Sequence, residues 1–147
     1  MTPSPDEQRT GAPARGVFGE SGYSVAARIS THMVRLMSRY TGRGPNKARA
    51  TLNTNFVTVV LDDTLTKAET NLVAAGEIES VLHQRRTFHR MMRDEAVAAI
   101  EQETGRKVRA YLSDIAPEAS VGAHVFVFEP HPEIGEAYYA ESDAGPS

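Results

Sequence analysis

Residues 41–52 read TGRGPNKARATL, and residues 104–112 read TGRKVRAYL. With Gly44, Pro45 and Asn46 set aside, both become Thr-Gly-Arg-Lys-x-Arg-Ala-x-Leu. The stretch decides the fold because it joins two periodicities. On the N-terminal side of each copy, apolar residues recur at three- and four-residue steps. On the C-terminal side they alternate. Each copy therefore reads as a corner where a helix ends and a strand begins. The alternative for the shared letters is chance, since the alignment is short and gapped.

Upstream of the first copy, Val25, Ile29, Met33, Leu36 with Met37, and Tyr40 mark one stripe of an amphipathic helix, with Arg28, Arg35 and Arg39 off it. Gly42 fits the left-handed position that closes a helix, where a side chain is penalised. Downstream, Lys47, Arg49 and Thr51 alternate with Ala48, Ala50 and Leu52, as in a half-buried strand. NTN (53–55) is turn chemistry, and FVTVVL (56–61) is apolar enough to be covered on both faces.

A second helical region opens at Thr66 with Glu69 in the spacing of a capping box. It can bend or break at Gly76. Ile78, Val81 with Leu82, Phe88, Met92, Ala96 and Ile100 then continue an apolar stripe to the second corner at Gly105. After it, Lys107, Arg109 and Tyr111 are expected on one strand face against Val108, Ala110 and Leu112. DIAPEASVGA (114–123) reads as a long loop, and HVFVFE (124–129) as another strand apolar on both faces.

The chain is thus expected to be an α+β protein, a duplicated helix–strand–strand unit. Strands apolar on both faces belong in the middle of a sheet and half-charged ones at its edges. That gives a four-stranded antiparallel sheet of order 1-2-4-3 with the helices on one face. The other face would carry a central apolar patch flanked by Lys47, Arg49, Lys107 and Arg109. Monomers rarely leave such a patch in water, so a homodimer is expected.

The 147 residues hold one domain's worth of chain, with 40% apolar residues. Residues 1–20 are Pro-, Gly-, Ala- and Thr-rich and are expected to be disordered, residues 21–130 form the single α+β domain, and 131–147 are an acidic flexible tail. Ile134, Tyr138 and Tyr139 could dock that tail. There is no cysteine, no signal-peptide core and no apolar run of spanning length, so a cytoplasmic location is expected. The net charge of −3 hides a gradient. Residues 21–61 carry Arg28, Arg35, Arg39, Arg43, Lys47 and Arg49 with no acid, whereas residues 110–147 carry seven acids and no Lys or Arg. Such asymmetry fits either an anionic partner or two halves facing each other within a fold or dimer.

Chemistry is sparse. Gly42, Arg43, Gly44 and Pro45, beside Lys47, could form an anion-binding concavity or an interface. They could equally be a helix stop and turn. His83, Arg86, Arg90 and Arg93 form a basic helix face, able to grip phosphate or acidic lipid or simply to be solvated. Arg85 falls near the apolar stripe and needs a buried acceptor, for which Asp62, Asp63 and Asp114 are the candidates. His83 and His89 are too far apart in phase to share a metal, and His32, His124 and His131 show no clustering. No metal, no cofactor and no catalytic residues are expected. GVFGESG lacks the context of a dinucleotide loop. Nucleic-acid binding is not expected either, because stacking aromatics are few.

The ordered succession YTGRGP, VVLDDTLTKAE, Arg85 with Phe88, TGRKVRAYLSD and VFVFE resembles the MpsC family. This is a bacterial family of small proteins, long a domain of unknown function, named for a sodium-translocating, membrane-potential-generating system. The resemblance covers about residues 22–130. It implies a non-catalytic binding or regulatory protein, an accessory to membrane components that handle cations or inorganic carbon, and it brings no catalytic residues. The alternative reading of the residues is an anion or nucleotide binder using the GRGP loop and the basic strand edges. A nucleic-acid binder or a small enzyme ranks below both.

Overall fold

The structure, a computed structural model, describes residues 22–130. The expectations for residues 1–20 and 131–147 lie outside the described residues. The described chain runs α1 (Gly22–Thr41), β1 (Lys47–Leu52), β2 (Phe56–Asp62), α2 (Lys67–Ala74), α3 (Ile78–Thr104), β3 (Val108–Ala116) and β4 (Val121–Phe128). The strands form one antiparallel sheet of order β1-β2-β4-β3, the order expected from which strands carry charge.

The long helices α1 and α3 lie on the same face of the sheet. Val25, Ile29, Met33, Leu36 and Met37 of α1 and Met92, Ala96 and Ile100 of α3 pack on Leu52, Val57, Val59, Leu61, Phe126 and Phe128. Burying each of the Val, Leu, Ile, Met and Phe side chains among them contributes roughly 1.5–3 kcal/mol relative to leaving it in water. A smaller cluster of Leu65, Val81 and Ile115 fastens α2 and the start of α3 to the far end of the sheet. The break between α2 and α3 falls at Gly76, whose φ is +80°.

Two expectations about the second strand pair are corrected. Asp114–Ala116 and Val121–Ala123 are strand, not loop, so the hairpin closes over Pro117–Ser120, where the amide of Ser120 donates to the carbonyl of Pro117 at 3.2 Å. Pro117, Ser120 and Gly122 supply turn signals, but only the first two lie in the turn. The expected faces of β3 are also wrong beyond Arg109. Val108 pairs with Phe128 and Ala110 with Val127, so Arg109 is an extra, bulged residue. A one-residue bulge moves every later side chain to the opposite face. Tyr111 therefore packs in the core, and Leu112, expected inside, is 58% exposed.

The face turned away from the helices presents four cross-strand rows. The pairings align Lys47, Asp62, Val121 and Ala116, then Arg49, Val60, Ala123 and Asp114. Next come Thr51, Thr58, Val125 and Leu112, and finally Phe56, Val127 and Ala110. Phe56 is 37% exposed, and no described element covers this face.

Candidate functional site

Arg85 is fully buried. Its Nε donates to Glu69 Oε2 at 2.7 Å and its Nη2 to Glu69 Oε1 at 2.8 Å. Nη1 donates to Thr64 Oγ1 at 3.3 Å, and Nη2 also reaches the Thr64 carbonyl. The partner is thus none of Asp62, Asp63 and Asp114, the candidates from the sequence, but the carboxylate of the α2 capping box. That box is present: Glu69 Oε1 accepts from the Thr66 amide at 2.9 Å, and Thr66 Oγ1 accepts from the Glu69 amide at 3.2 Å. Burial pushes the Glu69 carboxyl up, but hydrogen bonds from Arg85 and from the Thr66 amide outweigh it, and the net shift is downward. One carboxylate therefore caps α2 and neutralises a guanidinium inside the fold.

Next along the inward stripe of α3 stands His89, 5% exposed. Its ring meets that of His124, in β4, edge-on, with centroids 4.7 Å apart. His124 is fully buried and lies parallel to Tyr111 of β3 at 5.8 Å. The Tyr111 hydroxyl is 2.6 Å from His124 Nδ1. Burial pushes the Tyr111 phenol up to about 12, so it keeps its proton at pH 7. Burial above all, helped by the Arg85 guanidinium and opposed by Asp114, holds His89 down to about 4. Burial, then the charges of His89 and Arg85, hold His124 down to about 3. Both imidazoles are neutral at pH 7. Among the described residues His89 Nδ1 and His124 Nε2 are buried without hydrogen-bond partners, a costly state for polar atoms.

Sequence reasoning misses this cluster, because it depends on the bulge that turns Tyr111 inward. Part of the signal is present in α3. Val81, Arg85, His89, Met92, Ala96 and Ile100 are its buried residues, at steps of four, four, three, four and four. Phe88, placed on the stripe by its apolarity, is only half-buried.

Of the basic helix face, Arg86, Arg90 and Arg93 line a cleft of about 240 Å³ between α3 and β3, together with His89, Tyr111 and Ser113. His83 is exposed and is not among the residues lining that cleft. Arg86 is 3.4 Å from Asp114 Oδ2, at the rim. Arg90 Nη2 donates to Thr87 Oγ1 at 3.1 Å. Among the described residues, Arg90 and Arg93 have no carboxylate partner, and Arg93 has no hydrogen bond.

The GRGP corner has a different character. Arg43 Nη2 is 2.7 Å from Asp63 Oδ2, and Nη1 donates to the carbonyls of Asp63, at 3.0 Å, and Leu65. Asp63 itself has φ +51°, a conformation that Asp tolerates better than most residues. The guanidinium expected to complete an anion site thus faces the protein's own carboxylate and carbonyls. Residue 44 does not have a positive φ; Gly42 does, at +81°. A Cβ at residue 44 would lie 2.5 Å from Ser38 Oγ, so a side chain there would make that hydroxyl rotate away. Pro45 stands two residues before β1, and Lys47 begins β1 on the open face.

Among the described residues no group of three or more His, Asp or Glu side chains could hold a metal ion, and no helix is long and apolar enough to cross a membrane. The molecule thus defines an α+β domain with one uncovered sheet face and a buried arginine–histidine core under one helix. The family model described as Na+-translocating membrane potential-generating system (MpsC) matches residues 23–130, and the chain belongs to that family. No curated protein and no solved structure matches it.

Proposed function

We propose that this protein is a non-catalytic accessory component, acting as a homodimer in which two copies meet across their open sheet faces. The reading as an accessory to a membrane cation or inorganic-carbon system rests on the family, which is described as a Na+-translocating membrane potential-generating system. The observation that carries the homodimer is the arrangement of rows on the open face. Its centre is Val60, Ala123, Val125, Val127 and Phe56, and its edges in the second row are Arg49 on β1 and Asp114 on β3.

A two-fold axis lying in the interface and running along the strands sets β1 of one copy over β3 of the other, row against row. Arg49 then opposes Asp114 of the partner subunit, and the symmetry repeats the pair at the other edge. The apolar centres meet between them. Aligned packing of two sheets at about −30° keeps the central rows in contact. A self-complementary patch of this kind is what an isologous dimer requires. The buried Arg85–Glu69 pair fits a structural role, with both groups satisfied by each other.

Sedimentation velocity at micromolar concentration tests the dimer. The wild-type chain is expected to sediment as a dimer, and Val125→Lys, at the centre of the open face, as a folded monomer. A wild-type monomer under these conditions overturns the proposal.

A further inference from the structure

We propose that the cleft between α3 and β3 binds a phosphate-class oxyanion, either free or carried as a lipid headgroup, on Arg90 and Arg93 over a floor of His89, Tyr111 and Ser113. Three observations carry this, and none depends on the homodimer.

The first is uncompensated charge in a concave place. The exposed arginines Arg28, Arg39, Arg43 and Arg86 each have a carboxylate partner, in Glu103, Glu95, Asp63 and Asp114. Among the described residues Arg90 and Arg93, like Arg35 and Arg49, have none, and these two stand together on one side of a cleft. Guanidinium groups hold oxyanions through paired, charge-assisted hydrogen bonds, and they gain most where the walls exclude water.

The second observation is the floor. His89, more than nine-tenths buried, lines the cleft with the edge of its ring that stays accessible. The imidazole is neutral at pH 7, so it can present one N–H donor without adding a further buried charge. Ser113 brings a hydroxyl to the same wall.

The third observation is size and contrast. The volume, about 240 Å³, lies below the roughly 300–1,000 Å³ of sites for drug-sized ligands, so a compact ion or a headgroup fits it better than a nucleotide. The larger groove beside α1, about 310 Å³, is lined by Arg35 and Arg39 but also by Glu95, whose carboxylate takes Arg39. Glu95 is part of that groove's lining, whereas Asp114, which takes Arg86, is not among the residues lining the cleft between α3 and β3, so the α1 groove is the poorer site for an anion.

Two-dimensional NMR of the full chain, at constant ionic strength, tests the site with two probes. Inorganic phosphate is one, and vesicles of phosphatidylglycerol, with phosphatidylcholine as reference, are the other. Saturable shifts at His89 through Arg93, Tyr111 and Ser113 are expected. Saturation by inorganic phosphate identifies the free ion, and a response to phosphatidylglycerol alone identifies a headgroup. Arg90→Ala and Arg93→Ala, both exposed and hence compatible with folding, are each expected to weaken binding about tenfold or more, the effect of removing a charge-assisted hydrogen bond. Arg35→Ala, on α1, is expected to leave it unchanged. The proposal is overturned if neither probe gives saturable shifts at these residues. It is also overturned if Arg35→Ala weakens binding as much as Arg93→Ala, because diffuse positive charge then explains the effect.

Discussion

Helices α1 and α3 cover the same sheet from the same side and end in the same Thr-Gly-Arg corner, yet their buried stripes are unlike. The buried stripe of α1 holds Val25, Ile29, Met33, Leu36 and Met37, all of them apolar. That of α3 interrupts Val81, Met92, Ala96 and Ile100 with Arg85 and His89. Architecture does not require this, since α1 does the same covering without polar atoms. Buried polar groups cost stability unless each is satisfied. Arg85 is satisfied by Glu69 and Thr64, whereas His89 is not. The difference separates a group that locks the α2–α3 junction from one that is free to meet something else.

The sharpest way to break the comparison is to treat α3 as though it were α1. Arg85→Leu leaves the Glu69 carboxylate buried beside Thr64 without its cation. Removing one partner of a buried ion pair is expected to cost about 3–5 kcal/mol, read as a collapse of the thermal transition. Adding Glu69→Leu is expected to recover part of the loss, though not the cap on Thr66. Met33→Leu, a volume-conserving change at an equally buried position of α1, is expected to cost under about 1.5 kcal/mol. Similar losses for Arg85→Leu and Met33→Leu would erase the distinction.

Acid separates the two halves next. His89 at about 4 and His124 at about 3 sit well below the unfolded histidine value of roughly 6.5. Between those limits the unfolded chain binds protons that the folded chain does not, so stability falls as pH falls. The slope is expected to be about 1 kcal/mol per pH unit for each histidine, giving roughly 3 kcal/mol between pH 6.0 and 4.5. Glu69 acts in a lower window, because its contribution is lost only as pH drops below the usual carboxylate range and through its depressed value. Urea unfolding at half-unit pH steps measures the slope. A flat profile from pH 6.0 to 4.5 contradicts the buried, neutral pair.

Most of the fold is legible in the sequence because it rests on periodicity. The stripe of α1, the cap at Thr66 and Glu69, the turn at Asn53–Asn55 and the sheet order follow from spacing and from which strands carry charge. The illegible part depends on a single extra residue. Nothing in KVRAYLS marks Arg109 as bulged, and without the bulge Tyr111 points to solvent, away from His124. The histidine pair also joins residues 35 positions apart, on α3 and β4, so no local pattern could announce it. Arg85 declares its need for an acceptor, but the spacing of Glu69 already assigns that carboxylate to the cap. One carboxylate has enough acceptor sites for both roles.

The corners are where the two halves agree, and they offer the smallest expected effects. In each, the threonine hydroxyl donates back to the carbonyl four residues earlier, Thr41 to Met37 at 2.8 Å and Thr104 to Ile100 at 2.7 Å. In each, a glycine at positive φ comes next, +81° at Gly42 and +68° at Gly105. In each, the arginine then reaches backbone carbonyls of a distant segment. Arg106 donates to Thr54 at 2.8 Å and to Glu129 at 3.0 Å, with its guanidinium 4.8 Å from the centre of the Phe128 ring. Arg43 holds Asp63 and Leu65 instead. The difference is water: Arg106 is 7% exposed, while the Arg43 and Asp63 side chains are 42% and 53% exposed. Arg106→Ala leaves two carbonyls short of a donor in a dry place and is expected to cost about 2 kcal/mol. Arg43→Ala opens its carbonyls to solvent, which replaces the lost donors, so its effect is expected to be the smaller. Salt distinguishes the two further. Raising NaCl from about 0.1 to 1 M shortens the screening length from about 10 to 3 Å, so the difference between wild type and Arg43→Ala should shrink while that for Arg106→Ala persists. Thermal melts at both salt concentrations decide the matter. An Arg43→Ala loss as large as that of Arg106→Ala, and as indifferent to salt, means that the inserted Gly-Pro-Asn builds a corner as dry as the one that lacks it.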